Sequence, residues 1–230
     1  LLLASTSTVY GGTYLSYLQE ELTDFFTGID EILFIPYARP SGITHDEYTA
    51  IAQQGFAKIQ KRVVGLHTFA DPKAALAQAK AIFTGGGNTF LLVTRLYELG
   101  LMPILREVVA GGTPYMGTSA GSNIAGHTMQ TTNDMPIIYP PSFHTLGAVP
   151  FNINPHYLDP DPHSKHKGET RETRIKEFHK FNDIPVIGLR EGSWLRITDD
   201  QIELKGNLTA RVFLKDQPPY ETTDLSPVYP

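Results

Sequence analysis

Short apolar runs alternate with helix-like stretches along the first half of the chain, and this rhythm restricts the fold more than any other feature. Residues 1–4, 31–35, 63–69, 81–84 and 114–118 are partly β-branched runs bounded by glycine, proline or polar clusters, as strands buried on both faces require. Between them, residues 13–26, 46–61, 71–80, 89–99 and 102–110 read as helices. Two of these carry start signals. Asp71 followed by Pro72 places an N-cap before a proline at the first helical position, and Thr44 precedes Glu47 at capping-box spacing. A βαβα order with right-handed crossovers predicts a three-layer α/β fold, with a mostly parallel sheet covered by helices on both faces. Ligands are then expected at the carboxyl ends of the strands.

The rhythm changes after Ser119. A polar stretch at 128–134 and a proline-rich passage at 136–141 precede an apolar segment at 151–157, and a helix is expected at 169–181. Residues 185–214 predict a C-terminal antiparallel extension, with strands near 186–189, 193–198, 201–204 and 210–214 and turns at Asp199-Asp200 and Gly206-Asn207. Residues 1–215 are therefore read as one α/β domain. Residues 216–230, with four prolines and no basic residue, are read as an extended or mobile tail.

Composition excludes several function classes. Nineteen Lys and Arg against 24 Asp and Glu give a net charge of -5, with no basic run, so a nucleic-acid groove is not expected. No apolar run is long enough to span a membrane, and Leu1-Leu2-Leu3 lacks the basic flank and length of a signal peptide, so the expected address is cytoplasmic. The absence of cysteine rules out disulfides, thiolate metal sites and a cysteine nucleophile. Covalent catalysis would then fall to Ser, Thr, Lys or a carboxylate. No cofactor is expected. No metal site is expected either, since His163 and His166 are three apart but loop-borne.

Gly117-Thr118-Ser119-Ala120-Gly121 follows a strand and precedes a short helical segment. A nucleophile elbow needs small residues two before and two after the serine, because the tight strand-to-helix turn leaves no room for Cβ atoms. Such a turn lifts the hydroxyl out of the sheet and aims the next N–H groups at a developing oxyanion. A Gly/Ser-rich βα turn that only packs or binds an anion fits the same five residues. Thr84-Gly85-Gly86-Gly87-Asn88 also links a strand to a helix, with neither the dinucleotide fingerprint nor a P-loop lysine. It could supply a second oxyanion donor, or be a tight turn capped by Asn88.

A serine nucleophile needs a base, and the base needs an orienter. Of eight histidines, His45, His67 and His179 read as solvated or packed, His127 and His144 lie in loops without nearby carboxylates, and His163 and His166 sit in a polar loop. His156 differs, since Asn152-Ile153-Asn154-Pro155 places it at the end of an apolar strand stiffened by proline. Glu191, between Arg190 and Gly192 at a corner between two strands, is the candidate acid; an ordinary surface glutamate, paired with Arg190, is the other reading.

Together, residues 1–6, 84–90, 117–121, 131–136, 153–156, 167–171 and 188–192 resemble the peptidase E family of α-aspartyl dipeptidases, in order and over nearly the whole chain. The resemblance implies a class I glutamine amidotransferase-like fold with serine where cysteine is usual. It implies Ser119 as nucleophile, His156 as general base and then acid, and Glu191 as orienter, with the N–H groups of Gly87 and Ala120 as oxyanion donors. It also implies a small peptide substrate with an amino-terminal aspartate, no nucleic-acid or membrane partner, and a monomer or homodimer. Carboxylate recognition favours a bidentate arginine, for which Arg171 is the choice. Asn88, Thr132, Asn133 and Asp134 are candidate substrate contacts, Asp134 for the ammonium, although such residues also cap turns. Thr118 stands where a bulkier aromatic can precede the serine, and 160–163 carries a small length change. A cyanophycinase-like hydrolase of aspartyl-arginine linkages and a non-catalytic anion-binding α/β module are the alternatives.

Overall fold

The computed structural model describes residues 1–161, 163, 165 and 168–229. His166, one of the histidines weighed as base, lies outside the described residues, as do part of the 160–163 segment and the last residue of the expected tail.

The strands are β1 (Leu2–Ala4), β2 (Glu31–Ile35), β3 (Arg62–Gly65), β4 (Ile82–Thr84), β5 (Tyr115–Thr118), β6 (Asn152–Pro155), β7 (Val186–Leu189), β8 (Trp194–Thr198), β9 (Gln201–Lys205), β10 (Ala210–Phe213) and β11 (Tyr220–Thr222). The α-helices are α1 (Gln19–Phe25), α2 (His45–Ala57), α3 (Pro72–Ala77), α4 (Thr89–Glu98), α5 (Met102–Ala110), α6 (Ala120–Asn123) and α7 (Arg171–Phe178). Both expected start signals are used: Asp71 accepts from the N–H groups of Lys73 and Ala74, and Thr44 and Glu47 form a reciprocal capping box at the start of α2.

Among the described residues, a seven-stranded sheet runs in the order β3-β2-β4-β5-β1-β8-β9, parallel from β3 to β1 and antiparallel at β8 and β9. Alternation along the strands sorts side chains to two faces. Leu3, Leu33, Ile35 and Ile82 meet Leu92, Leu96, Met102 and Leu105 on one face, while Leu2, Ile32, Phe34 and Phe83 meet Leu18, Leu22, Ala52 and Phe56 on the other. Helices thus cover both faces and all the parallel strands end along one rim, where the turns after β4 and β5 lie side by side.

Four expectations change. The apolar run at 63–69 is a strand only to Gly65, after which Leu66–Thr68 turns as a 3-10 helix with Leu66 buried; apolarity alone does not separate a strand from a buried turn. The helix expected at 13–26 begins as an α-helix only at Gln19, after a 3-10 turn and a left-handed Leu15. The C-terminal extension is divided between two sheets: the β8–β9 hairpin extends the main sheet beside β1, and β7 joins a second sheet in the order β11-β10-β7-β6, where β6 and β7 run parallel. Residues 216–229 are extended at β11, but as a sheet edge, and Leu225 and Val228 are buried in the core.

Candidate active site

Gly117 lies in the buried strand β5 and Gly121 is the second residue of α6, and neither could carry a side chain. A Cβ on Gly117 would stand 2.4 Å from the Gly121 carbonyl, and one on Gly121 would stand 2.2 Å from the Thr84 carbonyl oxygen. Between them Ser119 is held at φ 54°, ψ −111°, a left-handed conformation that costs an L-residue about 1–3 kcal/mol. Its backbone is over-determined: its N–H donates to Ala4 O (3.1 Å) and its carbonyl accepts from Ser122 N (3.0 Å) and Asn123 N (2.9 Å). The Ser122 hydroxyl, within 2.8 Å of both Ala4 O and Gly117 O, ties β1 to β5 beneath the turn.

His156 follows β6 and is also left-handed, at φ 53°. The residue that holds it there is Ser5, which the sequence reading passed over. The His156 N–H donates to Ser5 Oγ (2.9 Å), and Ser5 Oγ donates to Leu189 O (2.7 Å), so one buried hydroxyl joins the ends of β1, β6 and β7. Leu189 ends β7, and Glu191 lies in the turn that follows. The histidine Nδ1 is 2.6 Å from Glu191 Oε1 and its Nε2 is 2.8 Å from Ser119 Oγ. An ionised carboxylate only accepts, so Nδ1 carries the proton, Nε2 presents its lone pair, and the serine hydroxyl donates to it. Three elements far apart in sequence thus form one hydrogen-bonded line. The imidazole side chain is about one-third exposed (34%) and the carboxylate nearly half (46%), so the line opens to solvent at its Glu191 end.

Arg190 does not pair with Glu191. Its guanidinium forks onto both Asp159 oxygens (2.8 and 2.9 Å), reaches both oxygens of Glu221 on β11 (3.0 Å each) and donates to Thr209 O (2.7 Å). Glu221 first and Asp159 second hold this arginine well above its ordinary value. The network fastens the turn bearing Glu191 to the loop after His156 and to the last strand. Arg190→Ala should lower stability by about 1–3 kcal/mol by stranding these partners, and should lower turnover by loosening Glu191. Urea denaturation and steady-state rates check both effects.

The candidate contacts gather beside this line, although most are occupied with one another. Asn88 caps α4 by accepting from Leu91 N (3.1 Å) and donates to Met135 O (2.9 Å). Asp134 Oδ2 accepts from Thr89 N (2.7 Å), Thr89 Oγ1 (2.6 Å) and Thr132 Oγ1 (3.0 Å), which clips the 128–136 loop to the N-terminus of α4. Asn133 donates to Pro155 O (2.6 Å), next to His156, and accepts from Asn154 (2.8 Å). Asp134 Oδ1 meets no donor among the described residues. Arg171 opens α7 without an ion pair within 4.0 Å among those residues, and its guanidinium is lowered first by burial and then by Arg174, against the pull of Asp134. The N–H groups of Gly87 and Ala120 have no acceptor among the described residues, Ala120 because it begins α6. No group of three or more His, Asp or Glu able to hold a metal ion occurs among them, nor any helix long and apolar enough to cross a membrane. Of the other histidines, His179 is buried and bonded to Ile184 O (3.0 Å), and His67 pairs with Asp46 (2.8 Å).

A left-handed serine at a strand-to-helix turn, bonded to a histidine that is bonded to a glutamate on an α/β scaffold, is the arrangement of serine-type hydrolases. The chain belongs to peptidase family S51, which matches residues 1–205. Peptidase E of Streptomyces coelicolor is 51% identical over 221 residues, covering 96% of this chain and 90% of that protein. A probable alpha-aspartyl dipeptidase of Drosophila melanogaster is 47% identical over 219 residues, covering 94% and 90%. The crystal structure of a putative peptidase E protein from Listeria monocytogenes shares the fold with a TM-score of 0.67 at 21% identity, covering 90% of this chain and 97% of that one.

Proposed function

We propose that the chain is a serine exopeptidase that hydrolyses dipeptides with an amino-terminal aspartate through an acyl-enzyme on Ser119. The observation that carries this reading is the line from Ser119 Oγ to His156 Nε2 (2.8 Å) and from Nδ1 to Glu191 (2.6 Å), with the serine in the elbow conformation. The names of the relatives support the aspartyl substrate and favour neither alternative weighed above.

In this reading Nε2 takes the Ser119 proton as Oγ attacks the scissile carbonyl, and Glu191 keeps Nδ1 protonated and stabilises the imidazolium. The N–H groups of Gly87 and Ala120 receive the oxyanion. The imidazolium then protonates the departing amine, and water, deprotonated by the same nitrogen, releases the aspartyl group and restores the hydroxyl. Arg171 is assigned to the substrate side-chain carboxylate. The open Asp134 Oδ1 is assigned to the ammonium, while Asn88, Thr132 and Asn133 shape the loops that carry these two charges. The reading includes a cytoplasmic enzyme, monomeric or homodimeric, with one hydrolytic unit over residues 1–215.

A panel of Asp-Xaa, Glu-Xaa and amino-blocked Asp-Xaa substrates tests it. Asp-Xaa should be cleaved, and blocking the ammonium should abolish cleavage; equal rates on blocked substrates would contradict the exopeptidase assignment. A protonated imidazole has no lone pair to receive the serine proton. Activity should therefore fall on acidification, and a kcat/KM that does not fall as the pH is lowered would contradict the role given to His156.

A further inference from the structure

The peptide joining Gly86 to Gly87 carries one of the two N–H groups assigned to the oxyanion, and its neighbours are fixed differently from it. On one side Gly85 N–H donates to Ile35 O (3.3 Å), and on the other Asn88 N–H donates to Ala38 O (2.7 Å). Both bonds return to the end of β2 or the segment just after it. The Gly86–Gly87 peptide is gripped through its carbonyl instead, where the buried Tyr48 hydroxyl of α2 donates to Gly86 O at 3.0 Å. A trans peptide is planar with its C=O and N–H pointing opposite ways, so holding the carbonyl sets the direction of the Gly87 N–H. A hydrogen bond accepted by the carbonyl also polarises the amide and strengthens its N–H as a donor.

Everything around this tyrosine keeps it in place. Its ring meets Phe34 edge-on at 5.0 Å and is covered by the Arg39 guanidinium at 4.7 Å. The glycine turn is moulded to it: a Cβ on Gly85 would lie 2.4 Å from the Tyr48 oxygen, and one on Gly87, at φ 143°, would lie 2.3 Å from Ala38 O. On its far side the turn abuts the nucleophile, since a Cβ on Gly86 would lie 2.9 Å from Ser119 Cβ.

We propose that Tyr48 is a positioning residue for the oxyanion site, aiming and polarising the Gly86–Gly87 amide toward the carbonyl oxygen that Ser119 attacks. This rests on the serine-peptidase reading above. Because the hydroxyl acts on a group that binds the transition state and not the ground state, its removal should appear in kcat and not in KM. Removing a whole oxyanion donor costs about 10²–10³ in kcat, so loosening one should cost about tenfold.

The test compares wild type, Ser119→Ala and Tyr48→Phe on Asp-Leu, with the rate of phosphonylation by a fluorophosphonate as a second readout. Tyr48→Phe should lose about tenfold in kcat with KM within about twofold, and its phosphonylation should slow by a similar factor. Wild-type kcat in Tyr48→Phe, or a loss confined to KM, would overturn the proposal while an inactive Ser119→Ala leaves the peptidase reading in place. An active Ser119→Ala would overturn both. As a second variant, 3-fluorotyrosine at position 48 keeps the ring and the hydrogen bond and is a stronger donor. It should raise kcat at constant KM, and an unchanged or lower kcat would count against the proposal.

Discussion

Ser119→Ala should lose on the order of a million-fold in turnover on Asp-Leu while folding as the wild type does. The substitution removes one oxygen and leaves the scaffold of the turn untouched. The bonds that hold the residue run through its backbone, to Ala4 O and from Ser122 N and Asn123 N, and none depends on the hydroxyl. Alanine and serine pay the same penalty for the left-handed φ of 54°, so stability should move by less than about 1 kcal/mol. His156 and Glu191 remain bonded to each other through Nδ1. A circular dichroism melt alongside the rate measurement separates loss of chemistry from loss of fold, and comparable activity in the variant would remove the proposed mechanism.

Gly121→Ala should destabilise the protein by about 3 kcal/mol or more. The added methyl would stand 2.2 Å from Thr84 O and 2.9 Å from Thr84 C, and these are backbone atoms that cannot turn aside. Thr84 ends β4, which is paired on one side with β2 and on the other with β5, so relief requires moving a central strand or lifting α6 off the sheet. Lifting α6 would also shift Ser119 and the Ala120 N–H. Gly112→Ala is the control: that glycine has a positive φ of 91° but open space where the Cβ would go, so it should lose only about 1–2 kcal/mol. Urea midpoints for the two variants decide the matter, and equal midpoints would contradict the close packing of the elbow.

Local patterns made much of this legible in advance. The glycines at 117 and 121 mark a turn whose crowding is set within a few residues, and a capped α2 and α3 follow from Thr44, Glu47, Asp71 and Pro72 alone. The convergence of Ser119, His156 and Glu191 came from resemblance, since no spacing rule brings together residues 37 and 35 positions apart. What stayed hidden is tertiary by nature. Tyr48 reads as one more ring on the sheet-facing side of a helix, and only the packing of α2 on the sheet, with Tyr48 against Phe34 of β2, turns its hydroxyl toward Gly86, 38 residues away. Ser5 is an unremarked strand-end serine until β6 and β7 arrive on either side of it, 151 and 184 residues along the chain. The tail reads as extended or mobile because it holds four prolines and no basic residue, yet Glu221 answers Arg190 and Arg211, and Leu225 and Val228 fill space in the core.

The most direct measurement of the central claim is covalent. A fluorophosphonate should add once per chain and peptide mapping should place the adduct on Ser119, with labelling slowed strongly in His156→Ala and lost in Ser119→Ala. An enzyme that hydrolyses Asp-Xaa dipeptides yet takes no label at Ser119, or takes it elsewhere, would contradict the account.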